Sequence, residues 1–311
     1  MDSFWIAARV VIPMALMMGI GVLLRLGKVA ERDTMRKVDK INFRLFLPML
    51  MFGNTFDTDF SQINGTFILY GLAGVFLLFL IAIFLIPKLE KNPPSAAAIG
   101  QALIRSNYLM YSVTIAEGIY GQGNAGVLML LGAFTIPLAN ALSAILLEVA
   151  RSGKSDSKEL LLAVAKNPLV VAAVIGLSVN FLSIPIPETI VGVVDDIGGL
   201  AAPMSFLSLG VSLNLSSITG NKKRLALGLV LKLLVCPVIF MACAIALGFH
   251  GPELCGLLVV FCAPTAVSSY PMAVAMDADG ETAGQMVIFS TLFSLITIFL
   301  WVFGLTGAGL L

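Results

Sequence analysis

The sequence predicts an all-α polytopic membrane protein with ten transmembrane helices, arranged as two inverted repeats of five. Three observations predict it. Apolar residues make up 59% of the 311 residues and charged residues only 12%, with a mean hydropathy of +0.99. A soluble fold of this length could not hide that much apolar surface, and lipid is the solvent that accepts it. The apolar residues fall into runs that reach the roughly 20 residues a bilayer core demands. Lysine and arginine occur in alternate connectors only.

The runs cover 4–26, 36–56, 64–87, 95–118, 123–148, 160–183, 188–213, 223–248, 252–276 and 282–307. The first is too long for the apolar region of a signal peptide, is interrupted by Arg9, and is followed by no A-x-A-like cleavage site, so it reads as a spanning helix. Helix 2 carries Pro48-Met49. Helix 3 is uncharged over 64–86, and Lys91-Asn92-Pro93-Pro94 separates it from helix 4. Helix 5 ends at the polar stretch Arg151 to Lys158, which resembles a linker. Helix 6 stops before Pro185-Ile186-Pro187, and helix 7 holds Pro203-Met204. Helices 8 to 10 follow through short connectors. The predicted organisation is a first repeat over 1–150, a cytoplasmic linker over 151–159 and a second repeat over 160–311.

Charge sets the orientation. Arg25, Lys28, Arg32, Arg36, Lys37 and Lys40 follow helix 1, Lys88 and Lys91 follow helix 3, Arg151, Lys154 and Lys158 follow helix 5, and Lys222, Lys223 and Arg224 follow helix 7. The connectors after helices 2, 4, 6 and 8 hold Asp57, Asp59, Gln122, Glu188 and Glu253 and no basic residue. Only the last connector, with Asp277, Asp279 and Glu281, leaves the pattern undecided. Both termini are expected outside and the linker inside.

The two halves share a weak pattern. Pro13 and Pro48 are 35 residues apart, as are Pro168 and Pro203. Ser106-Asn107-Tyr108-Leu109-Met110 in helix 4 matches Ser268-Ser269-Tyr270-Pro271-Met272 in helix 9. Five helices per unit is an odd number, so the second unit enters the membrane inverted.

Helix 9 carries the chemistry. Pro264 and Pro271 each remove a backbone donor, and Thr265, Ser268 and Ser269 lie between them. Such a segment belongs beside protein or a wet cavity, so it is expected to be a broken helix lining a site. In helix 4, Arg105 falls roughly 15 Å past the helix start, near the midplane. A guanidinium there costs several kcal/mol unless paired or wet. It either serves a ligand or forms a structural ion pair with Glu117, Asp195 or Asp196. Beside it are Ser106, Asn107 and Tyr108, and across from it Tyr270. If the repeat is inverted, the second halves of helices 4 and 9 start near the midplane from opposite sides. Two helix N-termini and Arg105 around one cavity favour an anion such as a carboxylate. Asp195 and Asp196 are either coupling-ion carriers or ion-pair partners of Arg9 or Arg44. Asn140, Asn180 and Asn214 are the other polar groups at depth, and Lys232 reads as a side chain that reaches back to the cytoplasmic interface.

Other classes are set aside. Cys236, Cys243, Cys255 and Cys262 form no C-x-x-C pair and read as small buried apolar residues. The single histidine, His250, lies in a loop, so no metal or haem site is expected, nor any cofactor. Net charge of +1 implies no attraction to nucleic acid. No H-E-x-x-H, P-loop or Ser/His pair is present, so an enzyme is not expected.

At Ala263-Pro264-Thr265-Ala266-Val267-Ser268-Ser269-Tyr270, at Asn107, and at Pro203-Met204 with Leu209-Gly210-Val211-Ser212-Leu213, the chain resembles the auxin efflux carrier family. The short central linker is similar to prokaryotic members, which include organic-acid permeases. The resemblance implies a fold similar to bile-acid sodium symporters. Helices 1, 2, 6 and 7 would form a scaffold and the homodimer contact, and the other six a transport domain in which helices 4 and 9 cross beside the substrate, bordered by Asn107, Pro264 and Pro271. The chain departs from the family where Tyr108 to Tyr111 replace the glycine and proline that commonly follow the asparagine. The charged pair of some plant members' helix 3 is absent, so auxin itself is a poor fit. The expected function is carriage of small carboxylates by alternating access. The alternative is a non-transporting sensor that binds a small carboxylate.

Overall fold

The computed structural model describes residues 2–56, 65–121, 125–152, 166–212 and 218–311. The Arg9 side chain, Asp57, Asp59, Gln122, the linker from 153 onward, residues 160–165 and Asn214 lie outside them. The described chain is helical, without strands. The elements are α1 (Asp2–Leu26), α2 (Arg32–Ile41), a π-helical turn (Asn42–Phe46), α3 (Leu47–Phe56), α4 (Gly65–Phe84), α5 (Ile86–Leu89), α6 (Pro93–Ile104), α7 (Tyr108–Tyr120) and α8 (Gly126–Ser152). The second half adds α9 (Pro168–Phe181), α10 (Glu188–Gly199), α11 (Ala201–Ser212), α12 (Ile218–Val230), a second π-helical turn (Leu231–Val235), α13 (Cys236–Ala246), α14 (Gly251–Cys262), α15 (Ser269–Ala275) and α16 (Gly280–Gly307).

Helix starts follow local chemistry. Asn92 caps α6 by accepting from the Ser95 N–H at 3.2 Å, with Pro93 at the first helical position. Asn167 does the same for α9, accepting from Leu169 N–H at 3.0 Å ahead of Pro168. Helix 6 therefore starts at Pro168, not at residue 160, because Lys166 and Asn167 are not helical. The match between Pro13 and Pro168 also weakens, since Pro13 lies inside α1 and Pro168 opens α9. Pro48 and Pro203 are better matched: each stands at the start of a helical segment that follows an irregular turn.

Five described helices are long and apolar enough to cross a membrane: Gly65–Leu89, Gly126–Arg151, Glu188–Ser212, Lys222–Ala246 and Gly280–Gly307. The remaining predicted spans fall short for identifiable reasons. Helices 4 and 9 are each cut in two, helix 6 is described only from Pro168, helix 2 opens with the polar segment Arg32–Ile41, and helix 1 counts only over Ala15–Leu26. Outward faces are apolar, with Leu69, Phe76, Ile239, Ile296, Leu300 and Phe303 all exposed, as lipid contact requires. Of the four free cysteines, Cys236, Cys255 and Cys262 are buried, whereas Cys243 is exposed on α13.

Helices pack in two groups. In one, α1 and α2 lie on α11, and α3 lies on α9 and α10. In the other, α4, α6 and α8 pack mutually, α13 lies on α14, and α6, α12 and α15 lie on α16. The α1–α11 contact is backbone to backbone: a Cβ on Gly21 would lie 2.9 Å from the Gly210 Cα. Small residues let helices approach this closely where no hydrophobic effect drives them together. The groups meet along α1–α16, α1–α7, α2–α15 and α8–α9.

Candidate functional site: the crossing of two interrupted helices

Helix 4 stops at Ile104 and restarts at Tyr108, and helix 9 stops at Cys262 and restarts at Ser269. The interruptions meet in a single antiparallel bridge between Ser106 and Thr265. Asn107 N–H donates to the Pro264 carbonyl at 2.8 Å, and Ala266 N–H donates to the Arg105 carbonyl at 3.0 Å. The pairing sets Ser106 opposite Thr265, whereas the sequence match sets it against Ser268.

Interrupted helices leave carbonyls without partners, and buried ones must be satisfied. Pro264 has no N–H to give the Val260 carbonyl one turn back, and the Ser106 hydroxyl donates there instead. The Ala102 carbonyl takes the Thr265 hydroxyl at 3.4 Å, and the Leu103 carbonyl takes Lys232 Nζ at 3.2 Å. Thr265 N–H donates to the Ser290 hydroxyl at 3.0 Å. Each break is thus completed by side chains from elsewhere in the fold.

Beside the crossing lies a cavity of about 110 Å³, between the two helix groups. Its wall is mainly apolar, with a few polar groups from Arg105, Ser106, Asn107, Thr135, Asn140 and Ser268, the usual make-up of a small-molecule site. Arg105 is 5% exposed. Its Nη2 donates to the Ser268 hydroxyl at 2.7 Å and its Nη1 to the Met272 sulfur at 3.1 Å. Among the described residues no carboxylate lies within ion-pair distance of it. Leu109 and Met110, at the start of α7, also line the cavity. The first turn of a helix carries N–H groups that no intrahelical carbonyl takes.

The predicted site residues divide. Arg105, Ser106, Asn107, Tyr108 and Ser268 line the cavity. Tyr108 presents its ring there while its hydroxyl donates to the Leu128 carbonyl at 2.7 Å. Thr265, Ser269, Tyr270, Pro264 and Pro271 are buried beside or behind the crossing and do not line it. The expectation of two free helix N-termini is halved. In α15 the N–H groups of Ser269 and Tyr270 are taken by the Ala266 and Val267 carbonyls at 2.9 and 3.2 Å, and Pro271 has none. Glu117, Asp195 and Asp196 are exposed, far in role from a buried pair with Arg105. Arg44 is exposed as well and forms no ion pair with either aspartate.

Two residues gain a place that the sequence does not assign them. Asn140 of α8 lines the cavity, with its Nδ2 on the Met51 sulfur at 3.2 Å. Lys232 does not reach the interface: it is 2% exposed and donates to Leu103 and, at 2.8 Å, to the Ser106 hydroxyl. It sits in the second π-helical turn, a local widening often found at functional positions. Its ammonium faces the C-terminal carbonyls of α6, the end of a helix that favours a cation.

The sequence matches the family described as "Membrane transport protein" over residues 6–302. It is also similar to an uncharacterized transporter of the archaeon Methanothermobacter thermautotrophicus, 24% identical over 289 residues that cover 91% of this chain and 93% of that protein. A match along nearly the whole chain, on a helical polytopic structure, means that this protein belongs to the membrane transport protein family, that of the auxin efflux carriers.

Proposed function

We propose that the chain is a secondary carrier of small organic anions, either dicarboxylates of the malonate or malate type or amphipathic monocarboxylates, and that it works by alternating access. Arg105 carries this reading: a guanidinium 5% exposed in the wall of a cavity, held by a hydroxyl and a thioether and by no carboxylate among the described residues. A desolvated cation without a counter-ion is costly, and an anion entering the cavity supplies the missing partner. A carboxylate also matches the guanidinium fork. Asn107 and Asn140 add neutral amides that read oxygen atoms without cancelling the field, and Lys232 behind Ser106 adds to it.

The arrangement we infer is ten spans in two inverted repeats, with helices 3, 4, 5, 8, 9 and 10 moving in elevator fashion against a dimeric scaffold of helices 1, 2, 6 and 7. The termini would face outward and the linker the cytoplasm. The two packing groups support this division, and so does the position of the cavity between them. The test is uptake of labelled malonate, malate and a monocarboxylate into liposomes that hold the purified protein. Wild type is expected to show saturable uptake, Asn107→Ala a weaker one and Arg105→Gln the weakest, down by at least about 30-fold. Absence of saturable uptake for every carboxylate, or Arg105→Gln equal to wild type, overturns the reading.

A further inference from the structure

Among the described residues one more buried charge, besides Arg105 and Lys232, stands without a counter-ion, and it is negative. Asp39, near the end of α2, is 0% exposed. So are Asn42 at the first π-helical turn and Ser205 and Ser208 of α11, Ser205 against Asn42 and Ser208 beside Asp39. Asn42 Nδ2 donates to the Ser205 hydroxyl at 2.8 Å and to the Ala201 carbonyl at 3.1 Å, so its donors are used. Its Oδ1 is not. Ser208 is the side chain beside Asp39, yet neither carboxylate oxygen, nor Asn42 Oδ1, nor the Ser208 hydroxyl completes a hydrogen bond of ordinary geometry among the described residues. The Ser208 hydroxyl is thus the one donor beside the carboxylate, and Asn42, three residues on from Asp39 and so on the same helix face, brings a further unused acceptor. Buried polar atoms without partners are rare, and several in one place call for an occupant. An all-oxygen set with one carboxylate is a hard donor set, suited to a small hard cation and not to a soft metal.

The surroundings limit the occupant. The other charged groups on its own helix are Asp33 and Lys37, and Arg32, Arg36 and Lys40, which line a separate polar cavity. Across that cavity lie Asp277 and Glu281. From α11 come only serines. From α15 comes Tyr270, which lines that cavity beside Ser212, Arg32 and Arg36. Arg44, on the π-helical turn, is exposed. With a single carboxylate and basic neighbours, one positive charge balances the site and two do not.

We propose that Asp39, Asn42 Oδ1 and Ser208 Oγ form a binding site for one small monovalent cation, a sodium ion or a proton. The site is placed to matter for transport. The helices that form it, α2 running into α3 and α11, also supply Leu47, Leu50, Met51 and Ala202 to the wall of the anion cavity. Ala201, whose carbonyl takes Asn42, is the chain neighbour of Ala202. Ser208 itself stands six residues from Ala202, so fewer than two turns of α11 separate the cation contact from the anion cavity. Tyr270 brings the second half of helix 9 to the same place, where α15 packs on α2.

The site is read on the purified full-length protein without any flux measurement, so its failure is separate from a failure of the carrier reading. Apparent melting temperature is followed as sodium chloride replaces choline chloride at constant ionic strength, and in choline alone between about pH 5 and pH 8. A sodium occupant stabilises wild type as sodium rises. A proton occupant leaves sodium without effect and makes the melting temperature in choline depend on pH. In either case Asp39→Asn, nearly isosteric and unable to ionise, abolishes that response, and Ser208→Ala moves its midpoint. An Asp39→Asn protein that keeps both wild-type responses overturns the proposal, as does a wild type with neither. Should Asp39→Asn fail to purify, Ser208→Ala and Asn42→Ala decide: an unmoved midpoint in both overturns it.

Discussion

The two helix interruptions differ in what breaks them. In helix 9 the cause is covalent: Pro264 denies the Val260 carbonyl its N–H, and the segment between Pro264 and Pro271 is rich in hydroxyls. In helix 4 no proline occurs between Ile104 and Tyr108, and Arg105, Ser106 and Asn107 are all able to continue a helix. That break exists through its partner. Asn107 N–H and the Arg105 carbonyl bond to the other strand at 2.8 and 3.0 Å, and Thr265 and Lys232 occupy the carbonyls left behind. The covalent break is uncharged; the break made by company holds the cation. The bridged segment of helix 9 thus acts as a template on which a helix with a costly buried arginine is held open.

The largest expected difference is in transport. Arg105→Gln removes a charge-assisted contact in a desolvated wall, an effect of about 2–5 kcal/mol on substrate and so roughly 30-fold to more than 1,000-fold in carboxylate flux. Ser268→Ala removes one neutral hydroxyl, about 0.5–1.5 kcal/mol, or roughly tenfold at most. Equal losses would erase the functional asymmetry between the breaks. Stability gives a second, smaller contrast. Ser106→Ala strips the Val260 carbonyl of its donor and Lys232 of an acceptor, at a cost of about 1–3 kcal/mol. Pro264→Ala loses only chain stiffness, about 0.4–1 kcal/mol, because the bridge still holds the strand extended. A greater fall in melting temperature for Pro264→Ala would mean that the proline holds both breaks open.

These differences mark what the sequence can reveal. Proline pairs and hydroxyls announced the helix 9 break, and the depth of Arg105 announced a special place in helix 4. The cap at Val260 could not be read, because it joins a hydroxyl in one half of the chain to a carbonyl in the other. Lys232 was misread for a related reason. Position in an apolar run gives depth, whereas the direction of a long stem depends on which carbonyls stand free. Asp195 and Asp196 show the same limit from the other side: they fall within a predicted span, yet both are exposed, Asp195 beside Gly53 of α3. Asp39 lies among the basic residues Arg32 to Lys40, where nothing in the sequence singles it out, and its packing against α11 buries it.

The same two segments meet again away from the crossing, and there the interaction is conventional. Ser95, in the first turn of α6, donates to Asp279 Oδ2 at 2.6 Å, and Asp279 follows α15 and caps α16 through Thr282 N–H at 2.9 Å. Arg224 joins Asp279 at 3.7 Å and Glu90 at 2.7 Å. Burial pushes both carboxyls up. For Asp279 the hydroxyls and N–H of Ser95 and Thr282 outweigh it, and for Glu90 the Arg224 guanidinium and the Asn92 N–H do, so both end below the ordinary carboxylate range. Groups lowered in the folded state stabilise it fully above their unfolded values, near pH 4, and lose that contribution as pH falls through the lowered ones. Asp279→Asn keeps an oxygen for the α16 cap but gives up the charge, so it is expected to cost about 1 kcal/mol at neutral pH, since the groups are partly exposed. The gap in melting temperature between wild type and variant should narrow below about pH 4. A gap that is constant with pH would show that the edge, unlike the Arg105 break, depends on hydrogen-bond shape and not on charge.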